Sequence, residues 1–110
     1  MKSFIVITDE SESYINDVLW SLLPLEQDEE LIIYDNHSTD DTVPNIIGKV
    51  DPMMWLDEQQ RYKFYINHKE KEEYETIKNK VLSIVRGKPF FIDKKERFEI
   101  SEVLDSDKDK

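Results

Sequence analysis

Four short apolar runs recur along the chain, separated by stretches with helical periodicity, and this alternation restricts the fold more than any other feature. The runs are Phe4-Ile5-Val6-Ile7, Leu31-Ile32-Ile33-Tyr34, Tyr62 to Ile66 and Pro89-Phe90-Phe91-Ile92. The first two are continuous and largely β-branched, the pattern of strands covered on both faces in a parallel sheet. After the first, Ile15, Val18, Leu19 and Leu22 fall on one helical face, closed by Pro24. Later, Tyr74, Ile77, Val81, Ile84 and Val85 mark another helical stripe, which Gly87 ends. Asp9 with Glu12, and Ser38 with Asp41, have capping-box spacing, so helices are expected to start at both places. Pro44 suits a first helical turn and Gly48 a helix stop. Asp51-Pro52 opens either a second short helix through Leu56 or a loop.

Strand and helix in strict alternation predict an α/β protein, a Rossmann-like three-layer α/β/α domain around a four-stranded, mainly parallel sheet. At 110 residues the chain is expected to be one domain over residues 1–104, with a last short helix from Phe98 to Leu104. Residues 105–110 lack apolar side chains and form a charged tail. Ligands of parallel sheets bind outside the carboxyl ends of the strands. Three acidic residues stand just past such ends: Asp9, Asp35 and Asp93.

Charge narrows the partners. A formal net charge of −10, spread along the chain, argues against nucleic acid and against anionic lipid, both of which call for a basic face. There is no Cys, so neither disulfides nor a thiolate site are available. No apolar run approaches the roughly 20 residues of a membrane span, which predicts no membrane insertion and a cytoplasmic setting.

The stretch after the second run is the most specific signal: Asp35-Asn36-His37-Ser38-Thr39-Asp40-Asp41-Thr42. Together with the opening strand and the paired leucines Leu22-Leu23, it resembles the beginning of a family-2 glycosyltransferase of the GT-A fold. Asn79, Gly87 and Phe91-Ile92-Asp93 continue that resemblance more weakly. The resemblance implies the strand order 3-2-1-4, with strands near residues 3–8, 30–34, 62–66 and 89–92. It further implies a nucleotide sugar, a UDP-sugar first of all, bound by Thr8, Asp9, Asp35, Asn36 and Asp93. Asp35 would accept from a base N–H or a ribose hydroxyl, and charge assistance makes such bonds strong. Ser38, Thr39 and Asp40 would hold the loop and cap the next helix.

Two departures qualify the expected activity. The family's Asp-x-Asp motif, which holds a divalent cation against the diphosphate, reads Asp93-Lys94-Lys95-Glu96 here. A lost metal site is therefore expected, with no cofactor; Mg²⁺ or Mn²⁺ would bind only through Asp93. Lys94 and Lys95 are the candidates to neutralise a diphosphate directly. The resemblance also stops at the family's N-terminal half, before its acceptor pocket and general base, whose absence would lose roughly 10²–10⁴ in rate. The expectation is a nucleotide-sugar-binding domain that is weakly active, completed by a partner protein or homo-oligomer, or inactive. The alternative is a non-catalytic protein–protein interaction module anchored by Met53, Met54 and Trp55. A phosphoacceptor receiver shares the acidic strand ends but not the Ser-Thr-Asp-x-Thr loop.

Overall fold

The computed structural model describes residues 1–92, and the expected helix at 98–104 and tail at 105–110 lie outside them. Seven elements follow in strict alternation: β1 (Lys2–Thr8), α1 (Ile15–Leu22), β2 (Glu29–Asp35), α2 (Thr42–Leu56), β3 (Tyr62–Ile66), α3 (Tyr74–Leu82) and β4 (Lys88–Ile92). The four strands form one sheet in the order β3-β2-β1-β4, every pair parallel, as expected. Register runs from Lys2 opposite Glu29 to Thr8 opposite Asp35, and from Leu31 opposite Tyr62 to Asp35 opposite Ile66. The carboxyl ends of the three strands β1, β2 and β3 are therefore level, and their following loops share one edge.

Burial follows from the period-2 alternation of side chains across a strand. Phe4, Val6, Leu31 and Ile33 face α1 and α2, where they pack with Ile15, Val18, Leu19, Ile46 and Val50. Ile5 and Ile32 face the other way, against Ile77 and Val81 of α3. Ile5 and Ile32 have no exposed surface, and each such side chain contributes about 1.5–3 kcal/mol by leaving water. This two-sided burial is why the first two runs carry no polar alternation.

Helix starts and stops depart from the sequence expectations. Helix α1 begins at Ile15 with Tyr14 as N-cap, so Asp9 and Glu12 lie in the preceding loop rather than in a capping box. Helix α2 begins at Thr42 with Asp41 as N-cap, and Ser38 does not cap it. Gly48 does not stop α2, which continues through Pro52 to Leu56 as one helix of 15 residues. Its stripe of Thr42, Ile46, Val50 and Met53 stays in phase with the sheet across both breakers, so packing overrides propensity. Helix α3 ends at Leu82, before Ile84 and Val85.

Candidate functional site

The loops leaving β1, β2 and β3 are joined by an interlocking set of hydrogen bonds at the carboxyl edge. Asp35, the last residue of β2, is fully buried. Its Oδ1 accepts from the Thr8 hydroxyl at 2.7 Å and from the Ser38 hydroxyl at 2.6 Å, and its Oδ2 accepts from the Ser38 N–H at 2.9 Å. Asp35 thus ties the end of β1 to the turn after β2. Ser38 in turn accepts from the Glu10 N–H at 2.9 Å.

The acidic residues of the β1–α1 loop serve the start of α2. The Glu10 carboxylate accepts from the N–H groups of Thr39 and Asp40, at 2.6 and 3.2 Å, and Glu12 accepts from Asp41 N–H at 2.9 Å. The Thr39 N–H, joined by the Thr39 hydroxyl and Lys71, holds the Glu10 carboxyl below its ordinary range despite some desolvation. Asp40 accepts from the N–H and hydroxyl of Thr42 and from the Glu12 N–H. The amides of Thr39, Asp40 and Asp41, just ahead of α2, are thus satisfied from the neighbouring loop, and that of Thr42 by Asp40. Two residues here, Glu10 and His37, hold left-handed backbone at φ 53° and 55°. Non-glycine residues rarely adopt that region, and here cross-loop bonds keep both in it.

The third loop comes from β3. Asn36 anchors it with both ends of its amide: Nδ2 donates to the Glu72 carbonyl at 2.9 Å, while Oδ1 accepts from Glu72 N–H and Asn67 Nδ2. Lys71 reaches across the edge, its ammonium donating to Asp9 Oδ1 at 2.5 Å, Glu10 Oε1 at 3.3 Å and the carbonyls of Asn36 and His37 at 3.2 and 3.1 Å. Four oxygens thus surround one cation, and Asp9 first among them raises the Lys71 pKa. The Glu72 carboxylate accepts from the Tyr34 hydroxyl and the Lys80 ammonium, and those two bonds, Lys80 foremost, lower its pKa.

Between these loops and α3 opens a cavity of about 170 Å³. Ile7, Ile77 and Ile92 give it apolar surface, Tyr14 and Tyr74 aromatic rings, and Asp9, Asn36 and Glu72 its polar groups. Of the carboxylate oxygens on its wall, Asp9 Oδ2 is the least engaged, with one long 3.5 Å contact from Asn36 Nδ2. Thr8 and Asp35 are buried, bonded to each other at the ends of β1 and β2, and are not among the cavity's lining residues. Asp93, Lys94 and Lys95 lie outside the described residues. Sequence reasoning missed Lys71, Glu72, Tyr14 and Tyr74. The first two sit in a charge run that looks like a solvated face, and both tyrosines pass for helix-flanking apolar residues.

Among the described residues, no group of three or more His, Asp or Glu side chains is placed to hold a metal ion. No helix among them is long and apolar enough to cross a membrane.

No family model matches this sequence, and no curated protein matches it. Solved structures do. Crystal structures of TarS from S. aureus superpose with a TM-score of 0.65 at 26% identity, over 84% of this chain and 16% of that one. TarS 1–349 in complex with UDP gives the same TM-score and identity and is covered over 26% of its length. TarS 1–349 alone gives 0.66 at 23% identity over 96% of this chain. The present chain thus spans 16% to 32% of the structures it resembles. The likeness supports a glycosyltransferase-like fold.

Proposed function

We propose that this chain is the nucleotide-binding domain of a family-2-like glycosyltransferase of GT-A type, with a UDP-sugar as its ligand. The observation that carries the reading is the cavity at the carboxyl ends of β1 and β2, where ligands of parallel sheets bind. Its size and its two tyrosine rings suit a flat heterocycle, and Asp9 Oδ2 offers an acceptor for a base N–H or a ribose hydroxyl. Asn36 shapes the wall, while Thr8 and Asp35 hold the two loops in register beneath it. The likeness to a structure solved with UDP supports the same ligand class. The Asp93-Lys94-Lys95 stretch offers the diphosphate two lysines in place of a second metal-binding carboxylate. Binding is then independent of divalent metal, the two lysines supplying positive charge.

Titration calorimetry with uridine, UDP, GDP and their sugars, with EDTA or Mn²⁺ present, tests this. UDP binding that survives EDTA and weakens about tenfold or more in Asp9→Asn is the expected result, since a charge-assisted bond is lost. No heat with any of these ligands, or binding that requires Mn²⁺, would sink the reading.

A second reading is favoured by one observation, the exposure of Trp20, Trp55 and Leu56, at 76%, 83% and 84%, on the α1–α2 side. These, with half-exposed Met54, fit a glycosyltransferase-derived interaction module, whereas Met53 packs against the core. Such a module binds no nucleotide, so the calorimetry separates the two.

A further inference from the structure

The segment from Asn67 to Glu73 crosses the carboxyl edge of the sheet without a single apolar side chain. No hydrophobic burial holds it, so its place depends on polar anchors. These are the Asn36 and Asn67 amides, the Glu72 carboxylate and the Lys71 ammonium. Lys71 differs from the rest because it engages Asp9, whose second oxygen is the least engaged carboxylate oxygen on the cavity wall. Its ammonium takes Asp9 Oδ1 and leaves Oδ2 of this cavity-lining residue with only the 3.5 Å contact from Asn36. The same ammonium grips Glu10 and two carbonyls of the β2 loop, which fixes Lys71 itself.

From this arrangement we infer that Lys71 is a positioning residue for ligand recognition, an internal cation that holds Asp9 in one rotamer with a single oxygen presented to the ligand. Its consequence is selectivity. One fixed acceptor rewards a base that offers an N–H there and leaves a base lacking that donor with a desolvated carboxylate unpaired. A free Asp9 would turn into solvent from its 45% exposed position and lose that discrimination. The inference rests on the nucleotide reading above and adds to it the residue that sets the choice of base.

The test is a double-mutant cycle on the full chain, read by calorimetry with uridine and with 3-methyluridine, which lacks the N3 donor. In the unaltered protein uridine is expected to bind about tenfold more tightly than 3-methyluridine. Lys71→Met should erase most of that ratio, and Lys71→Arg should restore part of it. In an Asp9→Asn background, Lys71→Met should change nothing further, because the two act through one contact. A general structural role would instead lower both affinities together, additively with Asp9→Asn, and would overturn the inference. So would an unchanged base ratio in Lys71→Met while uridine still binds. If the unaltered protein binds neither nucleoside nor UDP, the nucleotide reading itself fails, and that outcome is distinct because it appears before any substitution is made.

Discussion

Asp35 shows how one side chain can matter to a site without touching its cavity. Three donors converge on its buried carboxylate, two from Ser38 and one from Thr8. Asp35→Ala leaves the fully buried Thr8 hydroxyl and the half-buried Ser38 donors without their acceptor, so a loss of about 3 kcal/mol is expected in urea unfolding. Ser38→Ala removes only the hydroxyl's share and should cost about 1 kcal/mol, as a lost hydrogen bond to Asp35 rather than as a lost helix cap. His37 makes a different demand, since its φ of 55° is paid in backbone strain. His37→Val places a β-branched side chain in that region and should destabilise the fold by about 1–2 kcal/mol, while His37→Asn should be close to neutral. Equal effects of Val and Asn in the same unfolding assay would refute the strain argument.

At the scale of elements, α2 offers the clearest test. Gly48 lies exposed inside this helix, and a methyl group added there meets nothing within 4 Å. Gly48→Ala is therefore expected to stabilise the protein by about 0.5–1 kcal/mol. Gly87 is the opposite case. A Cβ there would lie 2.3 Å from the Met1 carbonyl oxygen, so Gly87→Ala should destabilise. Thermal unfolding of the two variants should move in opposite directions. The same helix explains what the sequence could and could not disclose. Strands were legible because continuous apolar runs have one economical explanation, and their order followed from the resemblance and the right-handed crossovers. Helix boundaries were not, because local rules assume that a helix supplies its own caps. Here Glu10 and Glu12 reach over from the loop after β1 to serve amides before α2, a partnership between residues 29 or 30 positions apart. Of the candidate site's lining, Asp9 was legible from its place after a strand end and Asn36 from the resemblance. Lys71 was not, since only the level strand ends bring residue 71 beside residue 9.

Taken whole, the molecule is acidic, yet its carboxylates are put to use, and this sets its response to pH. Burial pushes Glu30 up, but the Ser3 hydroxyl, the Arg86 N–H and guanidinium, and Lys63 outweigh it, so the net shift is downward. Glu10, Asp40, Asp57 and Glu72 are lowered as well. Groups depressed on folding add stability above their unfolded values, 4.5 for Glu and 3.8 for Asp, and lose it as pH falls through the folded ones. Lys71 and Lys80 are raised above 10.5, so their share is complete below that value and is lost as pH rises through the folded one. The thermal midpoint should therefore hold a plateau near neutrality and fall on both sides, with Glu30→Gln flattening the acid limb. A midpoint that climbs steadily on acidification would show that relief of the −10 net charge dominates instead. The strand order has a further effect, on time rather than on energy. β1 is flanked by β2 on one side and by β4 on the other, with Lys2 opposite Lys88. β1, made before both of its partners, thus keeps one row of backbone groups unpaired until β4 has been made. Closure across so much chain is slow, so a nascent or refolding molecule has a bare strand edge open to pairing with other chains for most of its assembly.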